Sequence, residues 1–516
     1  MTDKRKDLIF MKSFQPIPYS NIPSDNSNLG KVYLVGAGPG DIGLLTLRGY
    51  QLLQEADLIV YDQLVGASIF SLIPPDTELI SVGKYAGNHT MEQDKINQLL
   101  FTQAQAGKIV VRLKGGDPFL FGRGGEELEL LKAHNIPFEI VPGITSALSV
   151  PAYAGIPVTH RDLSPSVHII TAHRKRGSQE EIPFSSLVAL GDVTLVFLMG
   201  VGKLEPICRG LMEAGKPCDT PAAIIQNGTR SNQKTVCATL ETLPFQAKKA
   251  QISTPGIIVV GAVCSLSTQF QWIKNRPLFS KRILVTRPQN KPSTFAQKLR
   301  RLGAEVLECP LTSIHTLSDF SDFYHHLSDY DLVIFTSTAS VDAFFEDLIK
   351  TQTDLRTLSH LRFAVVGNGT KQALIRHGIF ADFVPSIHTG AALGALLSQT
   401  SIKKAALFAP KGFIGDCEAM LKDYNIPHQV FAAYETLPLV PPDISFAEQD
   451  ILTFTSANAV RAFSDAFLSN HRKILLSLPA ICIGPKTKET ADSYGYQTIM
   501  SKDSTFDSMI ETILHL

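Results

Sequence analysis

The chain has no run approaching the roughly 20 apolar residues that a membrane-spanning helix needs. Its N-terminal basic residues Lys4, Arg5 and Lys6 precede only the short apolar run Leu8 to Met11, too short for a signal-peptide core. A cytoplasmic protein is expected. Charge of one sign is not in excess either, with 48 Lys plus Arg against 48 Asp plus Glu. That balance argues against binding nucleic acid by broad electrostatic attraction and leaves room for a local basic pocket that takes a polyanionic small molecule. Paired cysteines are missing: Cys208, Cys218, Cys237, Cys264, Cys309, Cys417 and Cys482 are scattered without a C-x-x-C. Neither a zinc site nor a disulfide framework is expected, and no other metal.

What is present is length. At 516 residues the chain is too long for one ordinary core. Residues 1–29 mix Pro, Ser and Asn without periodicity and read as a flexible tail. From Lys31 a short apolar run, a glycine turn and a helical pattern alternate to the end of the chain, which is an α/β rhythm. The rhythm breaks in QFQWIKNRPLFSKR, after which KRILVTRP reads as a fresh first strand. The expected division is a first globular part at 30–265, a linker at 266–280 and a second globular part at 281–516.

The second part repeats itself. DLVIFTSTASVDAFF from Asp331 matches DILTFTSANAVRAFS from Asp450, RFAVVGNGTKQAL matches PAICIGPKTKETA, and RILVTRP is echoed by KAALFAPK, all at an offset of roughly 120 residues. Two similar α/β lobes with a cleft between them are expected, with the FTS, VG and IG turns at the carboxyl ends of parallel strands.

In the first part GAGPGD (Gly36 to Asp41) has the setting of a dinucleotide loop but not its spacing, because Asp41 stands where a third glycine is needed and Pro39 stiffens the turn. A nicotinamide dehydrogenase is therefore disfavoured. RLKGGDPFLFGRG (Arg112 to Gly124) follows the strand KIVVRL directly, and Gly115 and Gly116 permit close approach of main chain to a small ligand. With VPGITSA, GIPVTHR, LMG and QNGT, these motifs resemble the tetrapyrrole methyltransferase family, specifically uroporphyrinogen-III C-methyltransferases, from about Lys31 to Ser265. TAH (Thr171 to His173) stands where that family more often has TGH.

The resemblance implies a two-lobed, usually dimeric α/β enzyme that binds S-adenosyl-L-methionine between its lobes. Cofactor contacts would then fall on Pro39, Gly115, Gly116, Asp117, Leu120, Thr145, Ser146, Met199 and Gly228, with Asp117 at the ammonium end and Leu120 and Met199 against the adenosine. It further implies a base and a balancing acid at Asp62 and Lys84, two strand-end positions whose alternatives are a turn cap and a solvated surface charge. Arg112, Lys114, Arg123 and Arg161 lie on or beside the motif loops, where contacts to substrate carboxylates compete with structural ion pairs.

From Arg282 onward the chain is similar to uroporphyrinogen-III synthases, through VTRP, the FTS turns, the VG and IG turns followed by threonine, and a late tyrosine. That resemblance implies closure of hydroxymethylbilane with inversion of the last pyrrole and loss of water. Its implied substrate contacts are Arg287, Ser337, Thr370, Lys411, Ser456, Asn458 and Thr487. Tyr434 in FAAYET would assist departure of the hydroxyl, or serve as a half-buried tyrosine at a lobe hinge. STAS in the first FTS turn and Lys411 in place of a more usual arginine depart from the family pattern. Two consecutive steps toward sirohaem or cobalamin would thus share one chain, the alternative being a second half that only binds tetrapyrrole.

Overall fold

The computed structural model describes residues 29–74, 76–83, 91–173, 182–286, 293–317, 319–412, 415–439 and 444–516. Lys84 and Arg287 lie outside them. The chain forms four five-stranded sheets. The first holds β1 (Lys31–Gly36), β2 (Leu58–Tyr61), β3 (Glu78–Ser81), β4 (Ile109–Lys114) and β5 (Phe138–Val141) in the order β3-β2-β4-β1-β5. All its pairs are parallel; the inner strands β1, β2 and β4 are buried on both faces and read as apolar runs, while the edge strand β3 is partly exposed. The second holds β6 (Val167–Thr171), β7 (Thr194–Leu198), β8 (Pro221–Gln226), β9 (Lys234–Thr239) and β10 (Gly256–Val260) in the order β6-β7-β10-β8-β9, with only β6 and β7 parallel. Ala172, the departure in TAH, is buried in this lobe's core.

The second half is also two-lobed. One sheet takes β11 (Arg282–Thr286) and β12 (Glu305–Glu308) from its start and β18 (Asp450–Phe454), β19 (Pro479–Cys482) and β20 (Gln497–Met500) from its end, in the order β12-β11-β18-β19-β20. The other is built from the segment between: β13 (Thr312–Thr316), β14 (Leu332–Phe335), β15 (Arg362–Val365), β16 (Ala405–Pro410) and β17 (His428–Pro438), in the order β13-β17-β16-β14-β15.

Each lobe therefore mixes the two sequence repeats. The first copy contributes β11 and β12 to one lobe and β14 and β15 to the other, while the second copy contributes β18 and β19 to the first lobe and β16 and β17 to the second. The two sheets still match strand for strand, β12-β11-β18-β19 against β17-β16-β14-β15. The segments crossing between the lobes run side by side where β13 pairs antiparallel with the end of β17, Thr316 opposite Tyr434. Arg282 stitches the two chain segments of the outer lobe, donating from Nε and Nη2 to the two oxygens of the buried Asp450 at 2.6 and 2.7 Å. Among the described residues no helix is long and apolar enough to cross a membrane.

Candidate active sites

In the first half one wall of the crevice is main chain. Gly38 and Gly116 bridge the loops after β1 and β4, with Gly116 N donating to the Gly38 carbonyl at 2.7 Å. A Cβ on Gly143 would stand 2.1 Å from the Gly116 carbonyl oxygen, and one on Gly36 would stand 2.4 Å from the Gly143 Cα. Neither position tolerates a side chain. Gly116 itself has φ +72°, the left-handed region that glycine enters freely, and its open side faces the backbone nitrogen of Ser146. That nitrogen opens helix Ser146–Tyr153, which Thr145 caps by accepting from Ala147 N.

Asp117 braces this wall. Its Oδ1 accepts from Phe119 N and Leu120 N at 2.8 and 3.0 Å, and its Oδ2 accepts from Gly143 N at 3.0 Å. Asp117 thus shapes the loop through backbone bonds to both oxygens. Leu120 packs beside Ala147 and Val150, and a Cβ on Gly228 would strike Val150 at 2.3 Å, so the QNGT loop lies directly on the same helix. At the second-lobe side of the crevice, Met199, Asn227 and Thr229 all have positive φ (57°, 49° and 71°), an unusual conformation for residues with a Cβ. Strained backbone of this kind clusters at functional sites. Asp41 locks the lobes together here: its backbone N donates to Thr229 Oγ1, and its Oδ2 accepts from Tyr153 Oη at 2.7 Å.

Asp62 follows β2 and does what its bland alternative predicts, accepting from Leu64 N at 3.0 Å. It also reaches the glycine wall, with Gly115 N 3.4 Å from each of its oxygens. Arg112 and Lys114 do not reach toward substrate: both point into the protein and pair with Glu127 on helix Gly124–Ala133. Arg123 pairs with its neighbour Glu126, and Arg161 is exposed. The lysine expected as a balancing acid, Lys84, falls outside the described residues.

In the second half the described candidates other than Tyr434 stand in the turns or first helical turns that follow the carboxyl ends of strands, and Tyr434 lies within β17. Ser337 and Ser456 cap the helices after β14 and β18, accepting from Ser340 N and Ala459 N. Tyr434 lies in the strand that bridges the lobes, nine-tenths buried against Phe408 and Phe431, with the Ser337 side chain near its phenol. Burial raises its pKa, against the smaller opposing effect of Ser337. Lys411 N donates to the Tyr434 carbonyl at 2.8 Å and its Nζ pairs with Glu435 at 3.1 Å. Ser337, Tyr434 and Lys411 thus form one group on the inserted lobe, while Ser456 and Asn458 sit on the outer lobe, with Asn458 Oδ1 accepting from Arg461. Thr370 and Thr487 are placed differently from the other candidates. Both are buried in the first turn of their helices, and those turns present Asn368, Gly369, Pro485 and Lys486 instead. The motif threonine marks the turn but is not its exposed group.

Two features carried no sequence signal of their own: the Asp41 to Tyr153 lock, and a junction between the halves. At the junction Ser231, just past QNGT, donates from N and Oγ to Glu305 Oε2 at 2.8 and 2.5 Å, and Arg230 donates to the Leu64 carbonyl at 2.8 Å.

The tetrapyrrole (corrin/porphyrin) methylases match residues 31–244, and uroporphyrinogen-III synthase HemD matches residues 293–511. The chain is 42% identical over 499 residues to the porphyrin biosynthesis protein HemD of Ruminiclostridium josui, covering 94% of this chain and 98% of that one. It is 41% identical over 357 residues to the uroporphyrinogen-III C-methyltransferase of Bacillus subtilis, covering 69% of this chain and 73% of that one. It is 51% identical over 249 residues to siroheme synthase 2 of Yersinia enterocolitica, a match covering 48% of this chain and about half (52%) of that one.

Proposed function

The chain belongs to the family of the porphyrin biosynthesis protein HemD, with a tetrapyrrole methylase half followed by a uroporphyrinogen-III synthase half, and from that premise we propose consecutive reactions in its two crevices. The second half closes hydroxymethylbilane to uroporphyrinogen III with loss of water. The first half transfers two methyl groups from S-adenosyl-L-methionine to that product, giving precorrin-2 on the way to sirohaem or cobalamin.

The observation that carries the methyl-transfer site is the glycine wall: main chain at Gly36 and Gly143 packed too closely for any Cβ, with the left-handed Gly116 against them facing the start of helix Ser146–Tyr153. Such a wall brings backbone donors and acceptors to a small polar ligand at van der Waals distance. Pro39, Gly115, Gly116, Thr145 and Ser146 would hold the cofactor's polar end with the loop that Asp117 braces, and Leu120, Met199 and Gly228 would line its apolar side. The cofactor supplies an electrophilic methyl group. The protein's share is orientation and proton handling: Asp62 takes a proton from the macrocycle, Lys84 balances the charge, and the lobes exclude water. In the second half Tyr434, its phenol kept protonated by burial, donates to the departing hydroxyl. Ser337, Lys411, Ser456, Asn458 and Arg287 would fold the polycarboxylate chain, and Thr370 and Thr487 would do so only through the shape of their turns.

Exposed apolar side chains around the first crevice, among them Phe119, Ile144, Leu148 and Met199, suit both a macrocycle and a second copy of the chain. We read the enzyme as a cytoplasmic homodimer through its methylase half. The test is incubation of the purified chain with hydroxymethylbilane and S-adenosyl-L-methionine, with products followed by absorbance and mass. A dimethylated type-III product, lost on Asp62→Ala, supports both activities. Type-I macrocycle alone, with added uroporphyrinogen III still methylated, leaves the second half a binding module.

A further inference from the structure

Beneath the Gly115 turn three ionisable side chains meet where water does not reach. Arg112 and Lys114 leave the same face of β4, their side chains each 5% exposed, and Glu127 opposite them is 0% exposed. Glu127 Oε1 accepts from Arg112 Nε at 3.1 Å, Lys114 Nζ at 2.7 Å and Gln93 Nε2 at 3.2 Å, while its Oε2 is enclosed without a partner among the described residues. Burial, and after it the neighbouring Arg112, lowers the Lys114 pKa. Such a set stabilises a fold no better than apolar packing of the same volume, so stability alone does not account for it.

The free end of the arginine indicates a task for the set. Its Nη1 donates to the carbonyls of Val60 and Leu113 at 3.3 and 3.2 Å, and its Nη2 stands 3.8 Å from Asp62 Oδ2. The guanidinium thus ties a buried carboxylate at one end to Asp62 at the other. Asp62 is in turn held by Leu64 N and faces Gly115 N, and a Cβ on Gly115 would meet Leu64 Cβ at 2.6 Å. Asp62, Leu64 and the glycine turn are one packed unit.

We infer that Arg112, anchored by Glu127, is a positioning residue for methyl transfer, fixing the Asp62 carboxylate relative to the Gly115–Gly116 turn. It touches neither ligand. The inference rests on Asp62 being the base. An arginine is needed because its planar fork reaches Glu127, two carbonyls and Asp62 together, whereas the single nitrogen of a lysine serves one end only.

The test uses the full chain with Arg112→Lys, Glu127→Gln, Asp62→Asn and the two pairings with Asp62→Asn, measuring melting temperature, kcat, and KM for both substrates. Arg112→Lys should lower kcat for methyl transfer by about 10- to 100-fold with each KM held within about threefold, because a displaced group loses alignment rather than affinity. In the Asp62→Asn background it should cost nothing further, since residues acting through one group are not additive. Should Arg112→Lys melt early, Glu127→Gln with Asp62→Asn repeats the cycle. A double variant whose residual rate falls by the product of the single losses overturns the positioning role, as does a change confined to KM. Full activity in Asp62→Asn removes the base assignment and the inference with it, a result distinct from an additive cycle beside an impaired Asp62→Asn.

Discussion

The two halves build their crevices from different material. In the methylase half the walls are backbone, held by glycines at contact distance, left-handed residues at Met199, Asn227 and Thr229, and the brace of Asp117. In the synthase half the candidates are polar side chains and helix caps, divided between two lobes joined by the strand pair at Thr316 and Tyr434. A site made of backbone tolerates almost no change at its key positions. A site made of caps and hydroxyls is satisfied by many residues, because Ser, Thr, Asn and Asp all cap helices comparably.

The sharpest way to break this contrast is to add one methyl group to each wall. Gly143→Ala should lower methyl transfer by about 10²-fold or more, since the Gly116 turn must move by the better part of an ångström, and leave ring closure within twofold. Equal loss of both activities in paired assays would show that the wall supports the fold rather than the site. The largest effect in the other half should come from its stitch: Asp450→Ala leaves Arg282 without its buried partner and should cost about 3–5 kcal/mol, read by calorimetry as early melting of the synthase half alone. A smaller effect on stability but a specific one on rate is expected of Tyr434→Phe. If the phenol donates a proton, ring closure slows by about 10²-fold while methyl transfer stays unchanged; a loss under twofold makes Tyr434 a hinge residue.

How far these features were legible follows the same division. The glycine motifs were readable because only glycine fits where a Cβ would overlap backbone, as at Gly36 and Gly143, and because glycine alone enters the left-handed region freely, as at Gly116. The repeat announced two alike lobes, but not that each lobe takes half of either copy: apolar periodicity marks β11 and β18 as strands without saying that they pair. For Arg112 and Lys114 the sequence left substrate contact and structural ion pair open, and the structure shows the ion pair. Their i, i+2 spacing on a strand, with Glu127 one turn into the next helix, was the available sign that they share a buried face. The burial of Thr370 and Thr487 was not legible, since a motif position in a helical first turn does not say which side of that turn is exposed.

The smallest expected effect concerns the seam between the halves, where the comparison could dissolve. Glu305 lies on β12 of the synthase half, yet both its contacts at Ser231 belong to the loop that carries Gly228 and Thr229 of the methylase half. Glu305 also opposes Arg230, whose pKa burial lowers, and Arg230 holds the Leu64 carbonyl two residues from Asp62. Removing the carboxylate in Glu305→Ala frees Ser231 N and Oγ, at a cost of about 1 kcal/mol. If the loop relays that change, KM for S-adenosyl-L-methionine should rise about fivefold, the equivalent of that energy, with ring closure unaltered. If instead KM holds and only the melting temperature falls, the halves touch without communicating, and each crevice owes its geometry to its own lobes.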